Sequence, residues 1–197
     1  EFEFAFLLDA LQAERDQGIT IDTTQIYFST AERNYVIIDA PGHREFLKNM
    51  ISGAAQADAA VLVVDANEGI QEQTKRHAYM LHLLGMKQVC VMINKMDKVN
   101  FDPEVFNQVS KQTTDYLGSL GIQPAHIIPI SARTGDMMVE RGSNMNWYKG
   151  KTLSEALDAF AVSSPPVAQP LRFPVQDVYR YDEKRILVGR VETGILR

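Results

Sequence analysis

The chain has 197 residues, 45% of them hydrophobic, 23% charged and 9% aromatic, with a formal net charge of −5 from 20 basic and 25 acidic side chains. That is globular composition, and the negative balance excludes a broad basic field as the main way of holding nucleic acid, although it leaves a local patch open. The single cysteine, Cys90, excludes a disulfide framework and a cysteine-based zinc site, and its place in the apolar run Val89–Ile93 marks it as a small core residue.

Phe4, Leu7, Leu8 and Leu11 recur at helical spacing and predict a helix with one apolar stripe; Gly18 closes the charged stretch behind it. Ile21–Ser29 alternates as a strand does, Ala31–Asn34 is turn-like, and Tyr35–Asp39 reads as a second strand, so the pair forms a hairpin. Pro41-Gly42 follows, then a helix through about Ala57. The continuous apolar run from Ala59 to Val64 predicts a strand buried on both faces. A helix is expected over Thr74–Leu84, a buried strand over Val89–Ile93, and a helix capped by Asp102 with Pro103 in its first position. A strand over His126–Ile130 and a helix over Leu153–Phe160 complete the series. Strands alternating with helices predict an α/β fold with a mostly parallel sheet and helices on both faces. Val162-Ser163-Ser164-Pro165-Pro166 is a linker by composition. Beyond it, Phe173–Tyr179 and Ile186–Glu192 read as two strands with no helix between, the start of a separate β-domain.

No apolar run reaches the ~18 to 20 residues that cross a membrane, and Glu1-Phe2-Glu3-Phe4 lacks the basic start of an export signal. The chain begins without Met and stops mid-pattern at Ile195-Leu196-Arg197, which reads as a fragment.

In an open α/β sheet, ligands sit outside the carboxyl ends of the strands, and three strand ends carry chemistry. Asp39-Ala40-Pro41-Gly42-His43 places an acidic residue where it can hold Mg²⁺ through water, and a glycine whose N–H can approach a phosphate oxygen. Asn94-Lys95-Met96-Asp97 offers a carboxylate that can accept from the N1–H and N2–H₂ edge of guanine, a donor pair that adenine lacks. Asn94 can tie loop and base together, and the stem of Lys95 can lie against the ring. Ser131-Ala132-Arg133 supplies a small residue whose backbone N–H can reach guanine O6. Each signal alone has a bland reading as a cap or turn; together, in this order, they point to a guanine nucleotide.

On these residues the chain resembles the translation-factor-type GTPases, the superfamily of elongation factor Tu. Gly18-Ile19-Thr20-Ile21-Asp22 resembles the first switch segment, Asp39–His43 the second, Asn94–Asp97 the guanine motif and Ser131-Ala132 the last base contact. Arg190-Val191-Glu192-Thr193-Gly194 resembles the start of the family's β-barrel domain. The resemblance implies a GTPase domain of the phosphate-loop NTPase class over residues 1–161, a linker over 162–170 and the truncated start of a β-barrel over 171–197. It implies GTP or GDP with Mg²⁺ as cofactors and a cytoplasmic place with no membrane partner. Thr20 would bind Mg²⁺ and sense the γ-phosphate, and Asp39 would hold Mg²⁺ through water. The Gly42 N–H would contact the γ-phosphate. His43 would position the attacking water, with Ile19 as one wall of a gate beside it. The family's phosphate loop, G-x-x-x-x-G-K-S/T, lies upstream of the first switch and has no match here. Gly150-Lys151-Thr152 follows a Met at position 145 and no strand, so it reads as a helix start. The intact protein is expected to be a GTPase, and this stretch alone is not expected to be a competent one.

Two branches of the superfamily fit. One is the GTPase large subunit of bacterial sulfate adenylyltransferase, which couples GTP hydrolysis to adenylyl sulfate synthesis in a small catalytic adenylyltransferase subunit. The other is an elongation factor of the 1-alpha type, whose partners are aminoacyl-tRNA, the ribosome and an exchange factor. Ser143–Leu153 resembles an insertion found in both. The compact Asp65–Thr74 segment, Gln17–Asp22 and Arg76-His77 favour the sulfate-assimilation subunit; Asp39–Phe46 favours the elongation factor. The expectation taken forward is the sulfate-assimilation subunit, with the elongation factor as the alternative.

Overall fold

Parallel strands need long crossovers, and the alternation of short apolar runs with amphipathic stretches supplies them. In the computed structural model the described residues are 24–40, 51, 53–55, 57–161, 167–182 and 184–196. The helix predicted around Phe4–Leu11, the Gly18 stop and the Val162–Pro166 linker lie outside them, as does most of the helix predicted after Gly42.

β1 (Thr24–Ser29) and β2 (Asn34–Asp39) form the expected antiparallel hairpin, with Thr24 level with Asp39. β3 (Ala60–Asp65), β4 (Val89–Asn94) and β5 (His126–Pro129) form a parallel sheet in the order β3-β4-β5. The crossovers carry α1 (Glu72–Leu83) and α2 (Pro103–Ser119), and α3 (Leu153–Asp158) follows β5. Asp102 caps α2 by accepting from the Glu104 N–H at 2.8 Å, with Pro103 at the first position, where its missing N–H costs nothing.

The core centres on β4, where Val89, Cys90, Val91 and Ile93 are fully buried, joined by Leu117 of α2, Ile128 of β5 and Met96, Met137 and Met145 from the loops. Burial pushes the Cys90 thiol up to about 11, so it is an inert core side chain.

One expectation is corrected. β3 is buried on one face only: Leu62 and Val64 turn inward, while Val61 and Val63 are 36% and 51% exposed. Among the described residues β3 is also an edge strand, and an apolar run by itself does not tell a covered face from an open one.

The hairpin is tied to the end of α3. Thr30 and Tyr35 both donate to the Asp158 carboxylate, and the Arg33 guanidinium donates to the carbonyls of Asp158 and Phe160 at 2.9 and 2.8 Å. A cation on the last carbonyls of a helix is electrostatically favoured.

The chain divides into two compact units, Glu1–Phe160 and Ala161–Arg197. In the second, β6 (Val175–Tyr181) and β7 (Lys184–Gly189) form an antiparallel hairpin. Both strands are displaced from the predicted spans toward the turn, because Tyr181 pairs directly with Lys184 and Asp182 takes a left-handed conformation to close the turn. Arg190–Glu192 lies beyond the ladder, and Arg172 bridges Thr193 instead.

Thr152 opens α3 with a capping box: its hydroxyl accepts from the Glu155 N–H, and the Glu155 carboxylate accepts from the Thr152 N–H at 2.8 Å. Thr152→Ala is expected to lower unfolding stability by about 1 kcal/mol in urea titrations, with Thr152→Ser close to the unsubstituted protein. An unchanged midpoint in Thr152→Ala would show that the cap does not hold this helix.

Candidate functional site

Register decides which loops meet. Asp65 stands level with Asn94, and Ile93 level with Pro129, so the chain leaves β3, β4 and β5 along one edge of the sheet. Three more ladder-like bonds extend the pairing past the strand ends: Ala66 N–H to Asn94 O at 2.8 Å, Ile130 N–H to Ile93 O at 2.8 Å and Met96 N–H to Ile130 O at 3.2 Å.

The Asn94 side chain joins two of these loops. Its Oδ1 accepts from the Lys95 N–H at 2.7 Å and from the Ala132 N–H at 3.1 Å. Both partners are donors, so the oxygen must face them and the Nδ2 group faces away. The next residue, Lys95, is left-handed (φ 65°) and turns the chain into a 3-10 segment, Met96–Val99, anchored by fully buried Met96. That segment carries Asp97, half-buried, whose Oδ1 accepts from the Ser131 hydroxyl at 2.8 Å. Ser131 is itself fully buried. A carboxylate has acceptor capacity for about four hydrogen bonds, so Asp97 is oriented by Ser131 and still able to accept from a ligand.

The structure therefore brings Asn94, Lys95, Asp97, Ser131 and Ala132 together. The Ala132 N–H, which the sequence assigns to a base oxygen, here donates to Asn94. Lys95 Nζ meets Asp65 Oδ2 at 2.6 Å, which swings the lysine stem over the edge between β3 and β4. Asp39 ends β2, half-buried, in the separate two-stranded sheet. Thr20, Ile19, Gly42 and His43 lie outside the described residues. No three His, Cys, Asp or Glu side chains among the described residues converge as a metal site, and no described helix is long and apolar enough to cross a membrane.

Two carboxylates belong to the site that the motif search passed over. Asp65 ends an apolar strand just as Asp39 does, and the same strand-end rule applied to β3 finds it. Asp136, 4% exposed, lies in the loop after β5, and its carboxylate accepts from Thr134 Oγ1 and from Asn144 Nδ2 at 3.0 and 3.2 Å. No sequence motif marks it. For both acids burial alone works upward, but the donors prevail and hold each below the ordinary carboxylate range: Lys95 and the Asn67 N–H on Asp65, Thr134 and Asn144 on Asp136.

Comparison with known proteins bears on this geometry. Residues 2–163 match the family described as the elongation factor Tu GTP binding domain. Elongation factor 1-alpha of Thermococcus gammatolerans is 51% identical over 197 residues, covering 100% of this chain and 46% of that protein. The chain thus spans about half the length of the curated relatives it matches. Among solved structures, a bacterial selenocysteine-specific elongation factor superposes with a TM-score of 0.66 at 28% identity, covering 95% of this chain and 30% of that one. Sup35 complexed with GDP gives a TM-score of 0.58 at 28% identity, with 86% and 42% covered.

These findings overturn the expectation of a sulfate adenylyltransferase subunit, and with it the small catalytic partner. The features that favoured it, above all the compact Asp65–Thr74 segment, are short local stretches, whereas the identity to elongation factor 1-alpha runs over the whole chain. The Thermococcus relative aligns over 197 residues, the length of this chain, so a compact segment is no obstacle to an elongation factor.

The buried carboxylate gives the fold a definite acid response. A carboxylate whose folded pKa is depressed stabilises the fold above its unfolded pKa and loses that contribution as pH falls through the folded value. The urea midpoint is expected to owe a constant share to Asp136 from pH 7 to 5 and to lose that share below about pH 4. Asp136→Asn, which lacks the ionisation, is expected to show a lower midpoint at pH 7 and a shallower acid decline. Parallel pH curves for the two proteins would show that the charge on Asp136 carries no stability.

Proposed function

The chain belongs to the elongation factor Tu GTP-binding-domain family, and on that premise we propose that it is the nucleotide-binding part of a translation elongation factor of the 1-alpha type. The whole protein would bind and hydrolyse GTP and deliver aminoacyl-tRNA to the ribosome, with an exchange factor renewing the nucleotide. The observation that carries the reading is the assembled base site: Asn94 Oδ1 joining the β4 and β5 loops, and Ser131 holding Asp97. The 51% identity to elongation factor 1-alpha over the whole chain supports the choice of branch. Residues 171–197 would open a β-barrel domain.

Within this reading Asp97 accepts from N1–H and N2–H₂ of guanine, and the amide Nδ2 of Asn94, turned away from both loops, faces the base. The Lys95 stem, drawn toward β3 by Asp65, covers one face of the ring. The Ala132 N–H is the donor for O6, shared with Asn94 Oδ1 as a three-centre bond. At that edge adenine presents the acceptor N1 and a C2–H, its amino group standing where guanine has O6, which leaves the carboxylate without donors.

For the phosphate end, Thr20 is the proposed Mg²⁺ ligand and Asp39 would hold the ion through water; the ion would neutralise charge on the phosphates. Asp39 fits: it is a half-buried carboxylate at a strand end, the hard oxygen donor such a cation takes. The Gly42 N–H would meet the γ-phosphate. His43 would orient the attacking water, with Ile19 beside it. A water-orienting group acts on the transition state more than on the bound ground state.

Calorimetry on the full-length protein tests the base reading. GTP is expected to bind far more tightly than ATP, and Asp97→Asn, which exchanges an acceptor for a donor, to move preference toward xanthine nucleotides. Equal affinity for GTP and ATP would sink the assignment.

In ribosome-stimulated turnover, His43→Ala is expected to lower kcat by ~10²-fold or more with GTP affinity nearly unchanged. Normal turnover would assign His43 to structure, and lost affinity would assign it to binding.

A further inference from the structure

The loop after β5 turns sharply. The Ser131 N–H donates to Asp136 O at 3.2 Å, the Gly135 N–H to Ser131 O at 2.8 Å, and the Thr134 N–H to Ser131 Oγ at 3.4 Å. Ala132 is therefore held in a closed turn whose two ends are Ser131 and Asp136. What fixes that turn to the rest of the protein is the Asp136 side chain. One carboxylate accepts from Thr134 Oγ1 inside the turn and from the Asn144 amide of the following segment. Space for it depends on Gly142, left-handed at φ +68°, where an added Cβ would stand 1.9 Å from Asp136 Oδ1.

The far end of the same segment is also anchored. Trp147 Nε1 donates to Phe101 O at 3.0 Å, at the exit of the 3-10 segment that carries Asp97. Its ring packs on Phe106 at 5.4 Å between centroids, and Tyr148 OH donates to Ile127 O at 2.9 Å. Met145, fully buried, pins the segment between these anchors. Residues 136–148 thus touch both loops that face the base, although none of them is itself assigned to the base.

We propose that Asp136 is a specificity-determining positioning residue: through its hydrogen bonds to Thr134 and Asn144 it fixes the Ser131–Asp136 turn so that the Ala132 N–H is aimed at the six-position oxygen of a bound guanine. This rests on the guanine reading of the site and deepens it by separating the two edges of the base. The edge with N1–H and N2–H₂ is read by Asp97, set by Ser131 and by the 3-10 segment. The O6 edge is read by one backbone N–H, whose direction depends on the turn that carries it as well as on the Asn94 Oδ1 that it already meets. Every partner of the Asp136 carboxylate is a donor. An Asn in its place would turn an NH₂ group against one of them and loosen the turn without removing a contact to the ligand.

Three diphosphates separate the edges in calorimetry on the full-length protein at pH 7. GDP presents both edges. 6-Thio-GDP keeps the donor edge and replaces O6 with a weak acceptor. IDP keeps O6 and lacks the 2-amino group. In the unsubstituted protein GDP is expected to bind about tenfold more tightly than 6-thio-GDP, the scale of one hydrogen bond. Asp136→Asn is expected to reduce GDP affinity by about that factor and to bring the GDP to 6-thio-GDP ratio toward one, while the GDP to IDP ratio holds. Thr134→Val, a milder change, is expected to act in the same direction, and Thr134→Ser to restore the ratio. A loss shared equally by all three ligands would make Asp136 a general structural residue and overturn the proposal; so would an unchanged GDP to 6-thio-GDP ratio in folded Asp136→Asn and Thr134→Val. If the unsubstituted protein binds ADP as well as GDP, it is the guanine reading that fails.

Discussion

Asn94 places one oxygen where two chains of backbone cross, and the candidate site depends on that placement. Its Oδ1 takes the N–H of the residue after it and the N–H of Ala132, which arrives from the end of the neighbouring strand. Such a bond is worth about 0.5–1.5 kcal/mol net, so neither alone holds a loop. The two together work because the register has already brought the donors within reach: β4 and β5 pair in parallel up to Ile93 and Pro129, and the next backbone bonds continue the ladder. β4 is buried along nearly its whole length, so the strand that sets the register is also the one least able to shift.

Against this rigid edge the chain adopts conformations that the backbone does not favour. Lys95, Asn100 and Phe101 all have positive φ, and they bracket the turn that carries Asp97. A non-glycine residue held there costs on the order of 1–3 kcal/mol. The offsetting contacts are specific: buried Met96 anchors the middle of the turn, the Phe101 N–H closes onto Met96 O at 2.8 Å, and Trp147 Nε1 takes the Phe101 carbonyl. Lys95 gains in addition an ion pair with Asp65, and that pair keeps its stem along the strand edge. Strained backbone therefore enters and leaves the turn that carries Asp97, with buried Met96 between its two ends.

What could be read in the sequence follows from this distribution. β4 and the two loops beside it were legible because a continuous apolar run ending in polar residues has few other meanings in an α/β pattern. Asn94, Asp97, Ser131 and Ala132 then came together as the strand-end rule expects. The exposed face of β3 was not legible, since Val61 and Val63 are as apolar as Leu62 and Val64 and only packing against another element tells a covered face from an open one. Asp65 could have been found by the rule that found Asp39. Asp136 could not: its role comes from a buried carboxylate meeting donors at 134 and at 144, a contact that no spacing encodes. The branch of the family was misjudged for a related reason. Loop length and a few residues are local features, whereas the likeness to elongation factor 1-alpha is spread along the whole chain.

On the proposed reading the two loops would divide the base between them, and that division has a physical logic. A side-chain reader such as Asp97 brings its own rotamer preferences and needs one bond, from Ser131, to select among them. A backbone reader such as Ala132 has no rotamer, so its aim is that of the loop itself and must be set by bonds elsewhere in the loop. That is why a buried, donor-saturated carboxylate lies beyond Ala132 and not beyond Asp97, and why the residue beside that carboxylate, Gly142, has no side chain to compete for the space. The segment between Asp136 and Tyr148 then acts as a single strut, because its other end bonds the exit of the Asp97 turn and the edge of β5.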